Sequence, residues 1–463
     1  MRNDSLFLKS ALTISNTLHS LEYILNWVKK KNNEVEVKIE KISFRDMEHW
    51  QLDKTNGILR HNTGKFFSIE GINVQTNWGK VDEWEQPIIN QPEIGYLGII
   101  TKEISGTLYF LLQAKIEPGN INSVQLSPTL QATKSNYSQV HMGKKPLFLE
   151  YFQNATKDQI LIDQLQSEQG ARFLKKRNRN IIIKIDEDIQ IPDNYIWLTL
   201  AQIKSLLKYD NIVNMDTRTV ISGIVFTNVD KSILTNHISH SITHKILSSI
   251  VSVQKPVNSL DNILMWLTAL KSKYELNVTP KSLMKLDSWV ISDKEITHTS
   301  NNFFKVIATN VKISNREVAS WSQPLILPAQ QGLICFLVTF INNTLHFLVQ
   351  AKVEPGNFDI VELAPTVQCL TGSYDAEDEV PFLKYILNAS IENIIHDSLQ
   401  SEEGGRFYHE ENRNMLILAD NSMVNEIPLN YKWISFSQLT TFLKFNNFLN
   451  IQARSLVSLI NFI

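Results

Sequence analysis

Gln113-Ala114-Lys115-Ile116-Glu117-Pro118-Gly119-Asn120 returns in the same chain as Gln350-Ala351-Lys352-Val353-Glu354-Pro355-Gly356-Asn357. At the same spacing Trp84-Glu85-Gln86-Pro87 returns as Trp321-Ser322-Gln323-Pro324, and Pro128-Thr129-Leu130-Gln131 as Pro365-Thr366-Val367-Gln368. Further on, Gln166-Ser167-Glu168-Gln169-Gly170-Ala171-Arg172-Phe173 matches Gln400-Ser401-Glu402-Glu403-Gly404-Gly405-Arg406-Phe407, and Asn178-Arg179-Asn180 matches Asn412-Arg413-Asn414. The series is collinear and its spacing changes only at small insertions and deletions, which belong in loops. It therefore marks an internal duplication, expected as a first repeat over 1–222, a linker over 223–254 and a second repeat over 255–463.

Alternation in Thr107–Glu117 places Leu108, Phe110, Leu112, Ala114 and Ile116 on one face of a strand, with Gln113, Lys115 and Glu117 on the other. The second copy keeps this parity, and Pro-Gly-Asn ends each strand in a turn. Amphipathic helices are expected at Thr17–Lys30 and Leu260–Lys273, with further helices over Leu147–Gln169 and Pro381–Glu403. Strands are expected at Ser123–Ala132, Ile360–Leu370, Asn180–Asp186 and Asn414–Ala419. The fold class is thus α+β, a tandem duplication with mixed or antiparallel sheet flanked by helices. No Gly-rich turn follows an early strand, which argues against a dinucleotide fold.

The chain has 463 residues and a formal charge of −2, so nothing in its balance points to a nucleic-acid footprint. It has two cysteines, both in the second half, so a disulfide framework is not expected and a reducing cytoplasm fits. No signal peptide or membrane-length apolar run is read. His237, His240 and His244 share a helical face, but with no nearby acidic partner and no second copy they are read as linker residues rather than a metal site.

Several repeated polar groups carry chemistry of the right kind. Lys115, Glu117 and Tyr137, with Lys352, Glu354 and Tyr374, are the candidate acid, base and hydrogen-bonding groups. Gln113 and Gln350 extend the two polar rows. Thr133-Lys134-Ser135-Asn136-Tyr137 and Thr371-Gly372-Ser373-Tyr374 follow strands, where backbone N–H groups and hydroxyls suit phosphate oxygens. Arg172 and Arg406 are candidate two-point ligands for a diphosphate, with Ser167, Ser401, Arg179 and Arg413 nearby in sequence. Trp50, Trp84, Trp289 and Trp321 are candidates to stack on a base, and Arg316 has glycine as its counterpart. The competing reading of each is structural: an exposed sheet face, a polar turn, an internal Arg–Glu pair, core tryptophans.

Taken together, Trp-x-Gln-Pro, Gln-Ala-Lys-x-Glu-Pro-Gly-Asn, Pro-Thr-x-Gln and Gln-Ser-Glu-x-Gly-x-Arg-Phe resemble the NDP-hexose 2,3-dehydratase family over nearly the whole chain. The resemblance implies two Nudix-like domains, a homodimer and a thymidine diphosphate (TDP) 4-keto-6-deoxyhexose substrate. It further implies a place in deoxysugar and antibiotic biosynthesis, with a 3-ketoreductase acting next. No cofactor and no metal is implied, and the glutamate cluster of a metal-dependent Nudix hydrolase is absent. Glu362-Leu363-Ala364 replaces Gln125-Leu126-Ser127, Gly372 replaces Lys134 and one residue is lost between regions, so the repeat holding the reacting sugar stays open. The alternatives are a nucleotide-sugar hydrolase or epimerase, or a nucleotide-sugar-binding protein.

Overall fold

The computed structural model describes residues 2–134, 145–226, 241–314, 320–370 and 380–463. Each repeat builds one large and one small sheet. In the first large sheet the strand order is Ile160–Ser167, Arg177–Ile185, Gly95–Ile104, Thr107–Ile116, Tyr195–Thr199. Val124–Ser127 and Leu130–Ala132 pair alongside. Arg177–Ile185 runs parallel to Gly95–Ile104 and the other pairs are antiparallel, so the sheet is mixed. The second large sheet repeats this with Ile394–Ser401, Glu411–Leu418, Gly332–Ile341, Thr344–Lys352 and Tyr431–Ser435. These central strands are apolar on both faces, as a sheet covered on both sides requires. Leu108, Phe110 and Leu112 enter one core and Leu111 the opposite one.

The caps are duplicated as faithfully as the strands. Ser20 and Ser259 cap the helices Leu21–Asn33 and Leu260–Lys273. Thr199 with Gln202, and Ser435 with Gln438, form reciprocal capping boxes. Asn214 and Asn450 cap Met215–Ser222 and Ile451–Ser458. The helix Arg2–Leu12 lies on Thr107–Ile116, where Ser10 Oγ donates to the Leu108 carbonyl at 2.6 Å. Its counterpart is Ile242–Val251, where Leu345 N–H donates to Ser249 Oγ at 2.7 Å. The end of the stretch expected as linker is therefore packed on the second sheet. His244 sits in that helix, while His237 and His240 lie outside the described residues.

The helices expected over 147–169 and 381–403 shrink to Leu149–Gln153 and Leu383–Leu387. The Gln-Ser motif that follows is instead the edge strand Ile160–Ser167, or Ile394–Ser401. Its cross-strand partner Arg177–Ile185 overrides a helical reading of an ambiguous apolar pattern. The strand expected over Ser123–Ala132 is broken at Pro128-Thr129. There Thr129 Oγ1 donates to the Leu111 carbonyl at 2.5 Å and accepts from Ile100 N–H at 2.9 Å. Thr366 does the same between Leu348 and Leu337.

The repeats exchange strands. Val37–Lys41 of the first pairs antiparallel with Lys305–Ile313 in the small sheet of the second. Leu276–Lys281 of the second pairs with Ser68–Thr76 of the first. The turns after the two polar strands also cross over. Gly119 N–H donates to the Gly404 carbonyl and Gly356 N–H to the Gly170 carbonyl, each at 2.7 Å. His409 and Lys175 N–H groups return bonds to the Gly119 and Gly356 carbonyls, each at 2.8 Å. One apolar cluster consequently contains Phe110 and Phe347, and another contains Trp50, Phe67 and Phe173 with Trp289, Phe304 and Phe407.

Glycine is needed at these crossings because a Cβ at Gly119 would overlap the Phe407 carbonyl, and one at Gly356 the Phe173 carbonyl. Gly119→Ala and Gly356→Ala are each expected to cost about 3 kcal/mol or more, since backbone rather than a flexible side chain must yield. Urea denaturation checks this, and midpoints equal to wild type would show that the crossings are not held so tightly.

Candidate functional site

The crossings build two related polar centres, each made from both repeats. In the first, Lys115 and Glu117 project from the end of the strand Thr107–Ile116 and the residue after it. Lys115 Nζ lies 3.5 Å from Glu117 Oε1. Gln131 Nε2 donates to that oxygen at 2.8 Å, and Gln131 Oε1 accepts from Ser127 Oγ at 2.9 Å. The helix-capping Asn214 reaches the same Gln131 oxygen at 3.4 Å. The second repeat closes this centre with Glu402-Glu403-Gly404-Gly405. In the second centre Gln368 Nε2 donates to Glu354 Oε1 at 2.9 Å, and Asn450 Nδ2 donates to Gln368 at 2.8 Å. Lys352 Nζ lies over the Trp78 ring, 5.6 Å from its centroid. The first repeat closes this centre with Glu168-Gln169-Gly170-Ala171.

The structure distributes the expected residues widely. Lys115 and Gln113 line a pocket of about 450 Å³ that also includes Lys31, Glu34, Asp193 and Ser314. Gln350 instead turns its amide to the Pro365 carbonyl at 3.0 Å. Ser167 and Ser401 serve as bridges between repeats, donating to Glu362 at 2.9 Å and to Gln125 at 2.8 Å. Thr133 and the exposed Lys134 follow the strand Leu130–Ala132. Ser135, Asn136, Tyr137, Arg316, Thr371, Gly372, Ser373 and Tyr374 lie outside the described residues.

The remaining expected residues take structural positions. Trp50 and Trp289 are buried among aromatic neighbours, Trp50 against Phe67 and His61, Trp289 against Phe304 and His298. Trp84 and Trp321 donate their ring N–H to Gln86 at 3.0 Å and Gln323 at 2.8 Å. Those glutamines in turn hold the Ala171 carbonyl at 3.0 Å and the Gly405 carbonyl at 2.9 Å. Trp-x-Gln-Pro therefore fixes the loop that closes each centre. Arg172 stacks on Phe304 of the other repeat at 4.1 Å, and Arg406 on Phe67 at 4.0 Å. Arg179 and Arg413 make two-point pairs with Asp163 and Asp397 across neighbouring strands. Each is thereby raised above the usual guanidinium value.

Between the centres lies buried charge that motif reading did not single out. Arg218 binds the Ser401 carbonyl at 2.6 Å and Ser455 Oγ at 2.9 Å, and Arg454 binds the Ser167 carbonyl and Thr219 Oγ1. Burial brings both guanidinium groups down to about 10. Burial also raises Glu168, and raises Glu402 to about 8, where Glu410 adds repulsion. No repeated motif marks Arg218 or Arg454 as chemically special, because their burial depends on contacts between distant segments. Among the described residues no group of three His, Cys, Asp or Glu side chains is arranged to hold a metal ion. No helix there is long and apolar enough to cross a membrane.

The NDP-hexose 2,3-dehydratase family model matches the chain twice, over residues 21–224 and 260–460. Three relatives share the printed name dTDP-4-dehydro-6-deoxy-alpha-D-glucopyranose 2,3-dehydratase. The protein from Saccharopolyspora spinosa is 41% identical over 98% of this chain and 94% of its own length. That from Amycolatopsis orientalis is 38% identical over 98% and 92%, and that from Streptomyces violaceoruber 37% over 93% and 95%. The chain belongs to the NDP-hexose 2,3-dehydratase family.

Glu362, where the first repeat has Gln125, gives the site a measurable pH signature. It is 1% exposed, and burial pushes its carboxyl up to about 7 despite the Ser167 hydrogen bond. Below the ordinary carboxyl value both folded and unfolded states hold the proton. As pH rises toward 7 the unfolded state loses it first, so the residue costs stability, and above 7 that cost is constant. Glu362→Gln, which keeps the acceptor for Ser167, is expected to match wild type near pH 4.5 and exceed it by roughly 3 kcal/mol at pH 8. Urea midpoints at several pH values test this, and a pH-independent difference would refute it.

Proposed function

We propose that this protein eliminates water across C2–C3 of TDP-4-keto-6-deoxy-D-glucose, giving a 3,4-diketo-2,6-dideoxy sugar nucleotide. The observation carrying the reading is the near full-length match to three relatives that bear this activity in their names. The duplicated Lys–Glu centres supply residue types the reaction needs.

The chemistry follows from the substrate. The C4 ketone acidifies the C3 proton, a base removes it to leave the C3=C4 enolate, and as the C4 carbonyl re-forms the electron pair makes the C2=C3 bond while the C2 hydroxyl leaves with a proton as water. The enol then tautomerises to the 3-ketone. Positively charged or hydrogen-bonding groups near the C4 oxygen stabilise the intermediate enolate. Lys115, Glu117 and Tyr137, with Lys352, Glu354 and Tyr374, form the pool of groups for these steps. The reaction has no net oxidation, so it needs no redox cofactor. One centre is read as catalytic and the other as a second nucleotide-sugar site. Each repeat is read as Nudix-like, and the protein as a cytoplasmic homodimer in deoxysugar and antibiotic biosynthesis. A 3-ketoreductase is expected to consume the unstable diketone.

Incubation with TDP-4-keto-6-deoxyglucose in chelator, with and without a 3-ketoreductase and its reduced cofactor, tests the reaction. Mass spectrometry is expected to show loss of one water, trapped as a stable 2-deoxy sugar only with the reductase. Unchanged substrate with thymidine diphosphate still bound would favour the binding-protein reading, and activity lost to chelator would favour a metal-dependent hydrolase. Calorimetric titration with thymidine diphosphate is expected to give two sites per chain; one site would count against two intact centres.

A further inference from the structure

The two centres share a backbone plan but differ at Gln125 against Glu362 and at three further positions. The first-repeat centre is closed by Glu403 and Gly405 and backed by Asp216. Their counterparts in the other centre are Gln169, Ala171 and Gln452. An ideal Cβ at Gly405 would stand 3.0 Å from Glu403 Oε1 and 3.4 Å from Glu117 Oε1. The two carboxylates thus converge over a position that carries no side chain. Glu117 is 7% exposed, and its Oε2, like Glu354 Oε2 in the other centre, is buried without a hydrogen-bond partner among the described residues. The neighbouring Lys115 lines the pocket, whose wall includes neither Glu117 nor Glu403. Glu403 is partly exposed, whereas the extra carboxyl of the other centre, Glu362, is sealed beneath Ser167.

We propose that Glu117 and Glu403, one from each repeat, form the proton-transfer pair of the dehydration, with Glu117 as base toward C3–H and Glu403 as acid toward the C2 hydroxyl. This assignment rests on the dehydratase reading. Glu117 takes the C3 proton and the C–H electron pair enters the C3=C4 enolate; as the C4 carbonyl re-forms, that pair becomes the C2=C3 bond and the C2–O bond breaks while Glu403 gives its proton to the departing oxygen. In the tautomerisation protonated Glu117 gives its proton to C2 and Glu403 takes the proton of the C3 enol, directly or through solvent, which returns both carboxyls to their starting state. Burial raises Glu403 to about 7, helped by Glu168 and Glu117 and opposed by Arg406 and Lys176, so a protonated fraction persists near neutrality. Asp216, buried in the first turn of Met215–Ser222, is raised well above the carboxyl range by burial and by Glu403, Glu117 and Glu168, against Lys115.

Glu403→Gln is expected to lower kcat at least a hundredfold while retaining thymidine diphosphate binding and still exchanging the C3 proton in deuterated water. Glu117→Gln is expected to lose both exchange and water loss. Gly405→Ala, which crowds Glu403 with the residue found in the other centre, is expected to lower kcat about tenfold with little change in KM. Glu354→Gln is expected to cost less than tenfold. Glu403→Gln within threefold of wild type, or Glu354→Gln abolishing turnover while Glu117→Gln does not, would overturn the assignment. Wild-type protein run alongside reports on the dehydratase reading itself, and its inactivity would overturn both.

Discussion

The hydrogen bonds from Gly119 to Gly404 and from Gly356 to Gly170 place the end of each polar strand against a loop of the other repeat. Glycine makes this approach possible, because a side chain at either donor would occupy the space of a carbonyl oxygen. Strand exchange follows the same reciprocity, with Val37–Lys41 and Leu276–Lys281 each completing the other repeat's small sheet. Neither centre exists within a single repeat. Separating the copies would expose sheet edges, split shared apolar clusters and leave the Ser-Glu-x-Gly loops without the turns they close.

The junction also concentrates ionisable groups where water is scarce. Buried guanidinium groups are tolerated only with their donors satisfied, and Arg218 and Arg454 meet that demand by binding backbone carbonyls and hydroxyls from both repeats. The carboxyls of Glu168 and Glu402 are held by Asn178 and Asn412. This explains part of the retained polar sequence without assigning it contact with substrate. Asn-Arg-Asn supplies a carboxyl anchor, a cross-strand ion pair and, through Asn180 in the first repeat, a bond to Thr219.

Duplication left one scaffold and two differently charged centres. The amide relays Asn214–Gln131–Glu117 and Asn450–Gln368–Glu354 are preserved. The groups around them diverged, with Gln125 against Glu362, Asp216 against Gln452 and Glu403 against Gln169. Two of the changes exchange glutamine and its isosteric glutamate, and the third sets the shorter Asp216 against Gln452, so the proton inventory changes with little change of scaffold.

The sequence by itself determined the duplication, the α+β class, the strand at Thr107–Ile116 with its Lys–Glu row and the family. Those features depend on local alternation, turn chemistry and repeated strings, which survive in one dimension. It misread Ile160–Ser167 as helix because an apolar pattern is ambiguous until a neighbouring strand claims its hydrogen bonds. It offered Trp50 and Trp289 as stacking surfaces, although the folded chain surrounds them with aromatic side chains. Only the tertiary structure decided that Glu117 and Glu403 both approach Gly405, and that Glu354 meets Gly170, because these neighbours come from different repeats. The physical reason is strand exchange: contacts between repeats leave no periodicity in either, so their partners become legible only when the backbones cross.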